Sequence, residues 1–361
     1  MGKGTKILII ILVVIILLAG GIFAYKIFTE NNNIIDLGTD IENKEEDTPG
    51  VIEVPLKTVQ IYKGEDRPIA VMIDNHKGAL PQGGLNDAYM VYEIIVEGGE
   101  SRLMALFKGQ DLEKIGPVRS ARHYFLDYAL ENDAIYVHFG WSPQAESDIS
   151  SLGVNNINGI QISDGYFWRV KDKSAPHNVA ISTEKILELA KQKNYRTTST
   201  KESVLNYVTD EVNLEEGMSA QTITIPYSTS NEVQYTYNEE TKTYQRYSRN
   251  IKATDWTTGE NITVKNIIIT FAQNTTLNDG ENKDRQNLSN IGTLDGYYIT
   301  NGKAIKITCE KSTRSSQTVY KDLDGNEIKV NDGNTFVQIC PINAKVQIEG
   351  INEIENENNN V

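Results

Sequence analysis

An uncharged stretch of nineteen residues near the N-terminus constrains this chain more than any other feature of its sequence. Residues 7–25 read ILIIILVVIILLAGGIFAY, and a membrane-spanning helix needs about 20 apolar residues. Lys3 and Lys6 precede the stretch, and basic residues favour the cytoplasmic side of a membrane. We therefore predict a cytoplasmic stub at 1–6, a single-pass anchor in the plasma membrane at 7–25 and an extracytoplasmic remainder.

The anchor is predicted to stay uncleaved, since the stretch exceeds a usual signal-peptide core and no cysteine is nearby for lipidation. Residues 26–60 form an acidic and polar linker, including NKEEDTPG at 43–50. Such a composition stays solvated and holds a folded part away from the bilayer. The tail at 351–361, rich in Asn and Glu, is predicted to be disordered.

The charge and the motifs of the chain exclude several functions. The formal net charge is -14, whereas nucleic-acid binding requires clustered basic residues. The segment PQGGLNDA at 81–88 lacks the lysine of a phosphate-binding loop, so we predict no nucleotide site. Zinc-type spacings of histidine or cysteine are absent from the sequence. We therefore predict no metal and no cofactor.

Alternating strand and helix patterns predict an N-terminal α/β-type domain with a mixed sheet and covering helices, at residues 61–196. The predicted strands are 67–74, 90–98, 102–109, 134–140 and 177–182, and the predicted helices are 117–131, 142–153 and 183–194. A polar, helix-permissive connector at 197–219 leads to a mostly antiparallel β-rich domain at 220–350, where short strand-like runs alternate with turn residues. The fold class is therefore α+β.

Cys309 and Cys340 are too few for a disulfide framework. Both lie near strand-like segments late in the chain. Two interpretations remain open, a single bridge between them and a pair of buried free thiols.

The segment IGPVRSARH at 115–123 places cationic groups at the start of a predicted helix. Arg119, Arg122 and His123 stand at i, i+3 and i+4, although the helix dipole favours acidic residues there. Guanidinium groups at that position would receive a ligand carboxylate or phosphate. The alternative is an internal carboxylate partner, which Glu93 or Glu97 could supply.

Three acidic residues are candidates for catalysis. Glu93 and Glu97 share one face of a predicted strand, about 13 Å apart at a rise of about 3.3 Å per residue. That distance exceeds the separation in a paired-carboxylate glycosidase, so one of them would act alone or with Asp74. A half-buried carboxylate has a raised pKa and suits a general acid. Alternatively, Glu97 pairs with Arg102 across the GGES turn as a structural ion pair.

All four histidines, which are His76, His123, His138 and His177, precede position 178. Chemistry near neutral pH often uses histidine, so their positions favour the first domain as the functional one. A single histidine on a strand is more often a satisfied core residue than a catalyst, and this alternative applies to His138 and His177.

Two long segments resemble the YerB-like family of bacterial envelope proteins. They are RPIAVMIDNHKGALPQGGLNDAYMVYEIIVEGGESRLMALF and IGPVRSARHYFLDYALENDAIYVHFGWSPQAE, with APHN further along. NGKAIKIT and YKDLDGNEIKVNDGNTFVQICP are similar to the β-rich C-terminal domain of the same family. The resemblance covers about residues 67–345. It implies a Gram-positive envelope protein, typically a lipoprotein, although an apolar helix replaces the lipidated cysteine here.

The matching motifs imply a set of site residues that agrees with the candidates above. The predicted catalytic residues are Glu93, Glu97 and Asp74. The predicted ligand-binding residues are Asn75, Arg102, Arg119, Ser120, Arg122, His138, His177 and Asn178.

These features lead to one main hypothesis and two rivals. The main hypothesis is an extracytoplasmic protein that binds or cleaves peptidoglycan glycan strands through an Arg/Glu/His cleft, with Glu93 or Glu97 as general acid. The second is a non-catalytic scaffold that binds glycan or cell-wall synthesis enzymes. The third is a metal-dependent hydrolase, which the absence of zinc motifs makes weaker.

Overall fold

The structure is a computed structural model that describes residues 57–163 and 165–350. The predicted stub, anchor and tail, and residues 26–56 of the predicted linker, lie outside the described residues. Within the described ranges, no helix combines the length and the apolar character that crossing a membrane requires.

The first half of the described chain contains short helices between strands. Its α-helices are α1 (Phe125–Glu131), α2 (Pro143–Ser151) and α3 (Thr183–Gln192). Single 3-10 turns occupy Lys77–Ala79, Glu97–Gly99 and Gly159–Gln161. Its strands are β1 (Ile69–Asp74), β2 (Met90–Ile95), β3 (Ser101–Phe107), β4 (Ile135–His138), β5 (Asn156–Asn158), β6 (Trp168–Arg169), β7 (Val179–Ala180) and β8 (Tyr207–Val208).

The second half is built from strands, as the sequence predicts. They are β9 (Met218–Ser219), β10 (Thr222–Ser228), β11 (Asn231–Asn238), β12 (Thr243–Ser248), β13 (Ile251–Lys252), β14 (Thr263–Val264), β15 (Asn266–Thr276), β16 (Gln286–Ser289), β17 (Gly292–Thr300), β18 (Lys303–Lys311), β19 (Val319–Asp322), β20 (Val330–Asn331), β21 (Thr335–Pro341) and β22 (Gln347–Glu349).

One mixed sheet runs through both halves in the order β19-β18-β17-β15-β21-β2-β3-β1-β4-β5, with β16 and β9 attached to β15 and β18. Strand β2 pairs in parallel with β21, from Met90 opposite Thr335 to Ile94 opposite Ile339. All six residues of β2 are buried. The two halves of the chain therefore share a central sheet rather than only an interface.

Apolar side chains fill both faces of this sheet. On one face, Ile69, Val71 and Ile73 of β1 belong to the same core as β10, β11 and β12 of a second sheet, which has the order β13-β12-β11-β10-β22. On the other face, Met72 and Tyr92 belong to a core with the buried residues of α1 and α2. This alternation of faces is the period-2 pattern of strands buried on both sides.

The helix predicted at 117–131 begins only at Phe125, so its predicted start is wrong. Residues 118–121 instead bond to neighbouring strands and loops, with bridges at Val118 and Ala121. Val118 N–H donates to the carbonyl of Val179 at 2.7 Å, and Arg119 N–H donates to that of Met72 at 2.9 Å. Long-range pairing has therefore replaced the helix that the local pattern favoured.

The other two helices agree with their sequence signals. Ser142 caps α2 by accepting from Ala145 N–H at 3.3 Å, and Pro143 occupies the first turn. Gly153 follows that helix with φ +64°, a conformation that glycine adopts without strain. Ser182 caps α3 in the same way.

Two further expectations are settled by the described residues. The connector contains β8 and β9 and no helix, so its helix-permissive pattern is not used. Cys309 and Cys340 are both free and buried, so the bridge is excluded in favour of free thiols. Burial raises the pKa of Cys309 to about 12, and it also raises the pKa of Cys340. Both groups are inert thiols in the core.

Candidate functional site

The end of β1 gathers four polar side chains that we call the Asp74 cluster, namely Asp74, His76, Arg119 and His177. Asp74 Oδ2 lies 2.7 Å from His177 Nδ1 and 3.3 Å from Arg119 Nε. The contact with Arg119 is an ion pair without the geometry of a hydrogen bond. Asp74 Oδ1 accepts from His76 N–H at 3.1 Å. One carboxylate thus contacts an imidazole and a guanidinium together.

Asp74 is ionised despite its burial. Burial raises the pKa of this carboxyl, but Arg119, Arg102 and the His177 hydrogen bond outweigh burial and leave the pKa below its ordinary value. Arg102 lies directly opposite Asp74 in the pairing of β1 with β3. The cluster therefore contains a buried negative charge on Asp74, which lies beneath the partly exposed guanidinium of Arg119.

The two histidines of the cluster stack on each other. The ring centroids of His76 and His177 are 4.2 Å apart and the ring planes differ by 9°. His76 Nδ1 accepts from Gly78 N–H at 3.1 Å, because His76 caps the turn Lys77–Ala79. Burial, followed by the neighbouring His177, lowers the pKa of His76. His76 is thus a neutral imidazole near pH 7.

The predicted arginines have internal partners, which is the alternative that the sequence left open. Arg119 pairs with Asp74, and Arg122 Nε lies 2.5 Å from Glu97 Oε1. Neither arginine stands in the first turn of a helix. They differ in exposure, since the side chain of Arg119 is 27% exposed and that of Arg122 is 11% exposed. Arg119 is the one that faces solvent.

Glu97 forms a second charged group beside the cluster. It lies in the turn after β2 rather than on the strand, so the predicted 13 Å alignment with Glu93 does not apply. Arg102 NH2 is 3.9 Å from Glu97 Oε2, and Arg285 Nε is 3.8 Å from Oε1. Burial raises the pKa of Glu97, but the hydrogen bond and charge of Arg122 outweigh it and lower the pKa overall. Glu97 is an ionised structural partner.

Glu93 is wholly enclosed. Its Oε1 accepts from Asn75 Nδ2 at 3.0 Å and from Ser101 Oγ at 2.6 Å. Its Oε2 lies 2.9 Å from Arg246 NH2 of β12, a contact too bent to count as a hydrogen bond. The side chains are 0% and 1% exposed. The expectation of a half-buried acid facing a substrate is wrong for Glu93.

The remaining predicted site residues support the fold around the cluster. His138 is fully buried between Gly140 and Asn156, and burial lowers its pKa to about 4. Asn178 Nδ2 donates to the carbonyls of Val170 and Lys173. These residues do not join the cluster, and the core alternative stated for His138 is the one that the structure shows.

Ser120 and Asn75 also act through backbone and buried polar groups. The carbonyl of Ser120 accepts from Arg102 NH1 at 2.7 Å, and Ser120 Oγ donates to Phe139 O. Asn75 Nδ2 donates to Glu93, and Asn75 Oδ1 accepts from Gln82 Nε2 at 2.7 Å. Both residues position the charged side chains around β1 and β3.

The comparisons with known proteins agree with this architecture. Residues 56–196 match the family described as "Protein of unknown function (DUF3048) N-terminal domain", and residues 223–337 match its C-terminal domain. The Bacillus subtilis (strain 168) protein named "Putative lipoprotein YerB" is 32% identical over 309 residues, covering 82% of this chain and 88% of that protein. This chain belongs to the DUF3048 family.

A solved structure supports the same assignment. The crystal structure of the YerB protein from Bacillus subtilis matches with a TM-score of 0.70 at 30% sequence identity, covering 78% of this chain and 94% of that chain. The predicted resemblance to the YerB-like family is therefore confirmed. The family description assigns no function, so function must be argued from the site.

Two residues at this site were not among the predicted site residues. His76 counted only as one of the four histidines that indicated the first domain, although its position two residues after Asp74 at a strand end points to the site. Arg249 comes from the second half, where Arg249 NH1 donates to the carbonyl of Asn75 at 2.8 Å and the same guanidinium pairs with Glu100. No local pattern connects a turn after β12 to the end of β1.

Metal binding receives no support from the described residues. Within 57–163 and 165–350, no group of three or more His, Cys, Asp or Glu side chains could hold a metal ion. The Asp74 cluster contains two imidazoles and one carboxylate, but that carboxylate already contacts Arg119.

We expect Asp74→Asn to remove an acid-sensitive part of the stability. The folded pKa of Asp74 is lowered, so its contribution is present above the unfolded pKa of about 4 and is lost as pH falls through the folded value. Urea unfolding between pH 7 and pH 2.5 measures this. The difference in the free energy of unfolding between wild type and variant should be largest at pH 7 and should shrink in acid. A difference that stays constant with pH would contradict the prediction.

Proposed function

We propose that this family member is an extracytoplasmic envelope protein that binds a carboxylate-bearing cell-wall polymer, peptidoglycan, through the Asp74 cluster. The observation that carries the proposal is the position of Arg119, whose partly exposed guanidinium shares Asp74 with His177. A cationic group fixed at the surface by a buried carboxylate is suited to receive an anion from solvent.

The geometry of Arg119 leaves donors for a ligand. A guanidinium has five N–H donors, and its Nε faces Asp74. One terminal nitrogen lies 3.5 Å from the carbonyl of Pro176, at the limit of a hydrogen bond. The remaining donors suit a bidentate contact with a carboxylate, which the peptides of peptidoglycan carry.

The charges favour binding over cleavage of glycosidic bonds. A general acid must hold a proton and reach the leaving oxygen. Glu93 is enclosed between Asn75, Ser101 and Arg246. Glu97 has a lowered pKa and is therefore ionised at neutral pH. Neither carboxyl meets both requirements, so a binding role is the better-supported form of the envelope hypothesis.

The proposed location depends on the apolar stretch at 7–25 and on the relative that is named as a lipoprotein. A transmembrane helix and a lipid anchor would both hold the folded part on the outer side of the membrane. Peptidoglycan is the abundant polymer there. The predicted partners of the chain are thus the plasma membrane and the wall, with cell-wall enzymes as the alternative partner.

We expect Arg119→Gln to weaken binding to purified sacculi about tenfold or more, since charged hydrogen bonds contribute about 1.5–3 kcal/mol each. Co-sedimentation of the full-length chain in detergent with sacculi measures the affinity. Arg196→Gln is the matched control, because Arg196 is an exposed arginine paired with Asp133 outside the cluster, and it should bind as wild type does.

Two further arms identify the source of the anion. Sacculi stripped of attached phosphate polymers should bind equally well if the ligand is a peptide carboxylate. Loss of binding on stripping would assign the ligand to the phosphate polymer instead. Equal affinities of wild type and Arg119→Gln would reject the Asp74 cluster as the binding site.

A further inference from the structure

The two imidazoles of the Asp74 cluster are fixed in different tautomers. His177 Nδ1 faces the ionised Asp74 at 2.7 Å, so Nδ1 carries the hydrogen and Nε2 has a free lone pair. His76 Nδ1 accepts from Gly78 N–H, so the neutral ring carries its hydrogen on Nε2. The hydrogen-bond partners thus create one acceptor and one donor.

The acceptor and the donor are neighbours. The rings stack with 4.2 Å between their centroids and 9° between their planes, so the acceptor ring and the donor ring are in direct contact. Neither Nε2 has a hydrogen-bond partner among the described residues, and the side chain of His177 is 18% exposed. Both atoms are available to a molecule from solvent.

The charged groups around His76 come from several elements. Asp74 and Glu100 favour its protonated form, while His177 and Arg249 disfavour it, and burial has the largest effect. The result is a lowered pKa for His76, which keeps this ring a neutral donor near pH 7.

This arrangement is that of a general base next to an oxyanion site. Asp74 orients His177 as a carboxylate orients the histidine of a hydrolase. The guanidinium of Arg119, held on the same Asp74 oxygen, and the Nε2–H of His76 supply the donors that a developing oxyanion needs. No serine or cysteine of the described residues bonds to His177, so water is the nucleophile.

We propose that the Asp74 cluster hydrolyses carboxylic esters by general-base catalysis, an activity beyond the binding role proposed above. His177 Nε2 takes a proton from water as the water oxygen bonds to the ester carbon. Arg119 and the His76 Nε2–H hold the resulting oxyanion. The carbon–oxygen bond to the alcohol then breaks, and the His177 imidazolium returns its proton to the leaving alkoxide.

The ester class follows from the reactivity of the acyl group. His177 can return its single proton to an alkoxide or to an amine, so the number of acids does not decide the substrate. The reactivity of the acyl group does, because water activated by one imidazole attacks an ester carbonyl far faster than the resonance-stabilised carbonyl of an amide. We therefore assign the substrate to O-acyl groups rather than to peptide bonds.

The full-length chain in detergent, assayed with p-nitrophenyl acetate, tests the activity. We expect His177→Gln to lower the rate about hundredfold, the lower end of general-base contributions. His123→Gln is the matched control, because His123 bonds to Asn287 outside the cluster, and it should retain the wild-type rate. Circular dichroism and thermal melts of both variants establish that they are folded.

Three results would overturn the proposal. One is a wild-type rate no greater than that of free imidazole at equal concentration. Another is a folded His177→Gln variant with a rate within twofold of wild type. The third is equal hydrolysis of p-nitroacetanilide, which would contradict the ester class. Sacculus binding is measured separately, so its loss rejects the binding role without deciding the hydrolysis.

Asp74 is a positioning residue in this scheme, and its role has a distinct signature. With Asp74→Asn, His177 loses the partner that fixes its hydrogen on Nδ1. We expect Asp74→Asn to lower the rate in the wild-type background but to have little further effect in the His177→Gln background, because Asp74 acts through that imidazole. An equal further loss in the His177→Gln background would show that Asp74 does not act through His177.

Discussion

Replacing Glu93 by glutamine is expected to lower the free energy of unfolding by about 3–5 kcal/mol, because it leaves a buried charge without a partner. Arg246 is 1% exposed and lies 2.9 Å from Glu93 Oε2. Arg246 NH1 also donates to the hydroxyl of Tyr235 at 2.8 Å, and the guanidinium lies near the rings of Tyr235 and Phe336. These neutral groups cannot balance the guanidinium charge. Urea unfolding at pH 7 measures the loss.

An exposed ion pair provides the control. Glu310 of β18 contacts Lys321 at 2.5 Å, and its side chain is 41% exposed. Exposed pairs contribute about 0–1 kcal/mol, so Glu310→Gln should leave the free energy of unfolding nearly unchanged. A loss of less than about 1 kcal/mol for Glu93→Gln would contradict the buried-pair interpretation.

The double variant Glu93→Leu with Arg246→Met gives a second test. Removing both charges together avoids the unpaired guanidinium, so the loss should be smaller than the sum of the two single losses. This comparison also bears on function. Any reduced wall binding by Glu93→Gln is expected to follow from lost stability, not from a missing catalytic acid.

The second large effect concerns the separation of the two halves. A chain that ends before residue 217 is expected to be insoluble, because it loses strand β21 beside β2 and the partners of two buried carboxylates. Besides Glu93, it leaves Glu131 without Lys311, whose Nζ lies 2.7 Å from Glu131 Oε2. Truncation also removes β10, β11 and β12, which share a core with the apolar side chains of β1 and β2, and apolar surface exposed in this way promotes aggregation.

A cleavage experiment separates this effect from an effect of chain breakage. Glu215 and Glu216 lie in an exposed turn, and a protease site placed there would be cut after folding. We expect the two pieces of the cut protein to elute together in size-exclusion chromatography. A soluble, cooperatively unfolding first piece expressed alone would show that the halves fold independently.

The local sequence determines several elements of the fold. The serine at 142 and the proline at 143 define the start of α2, and the buried run at 69–74 forms β1 as expected. These predictions succeed because caps and apolar alternation act within a few residues. The same local rule failed at 117–121, where backbone groups bond to segments distant in the sequence.

In the candidate site too, the local sequence determined some features and long-range contacts determined the others. The sequence singled out Asp74 at the end of a strand, Arg119 at the start of a predicted helix and His177 on a predicted strand. It could not reveal that Asp74 and His177, 103 residues apart, lie 2.7 Å from each other. Nor could it distinguish exposed Arg119 from the more enclosed Arg122, since exposure depends on what packs around each side chain.

By itself, the sequence determined the family, the α+β class and the helices whose ends carry their own capping residues. Only the tertiary structure decided which acidic residues are internal partners, how the two halves share a sheet and which imidazole contacts Asp74. The physical reason is that capping and periodicity are local interactions. Charge pairing and burial depend instead on segments that meet only when the chain is folded.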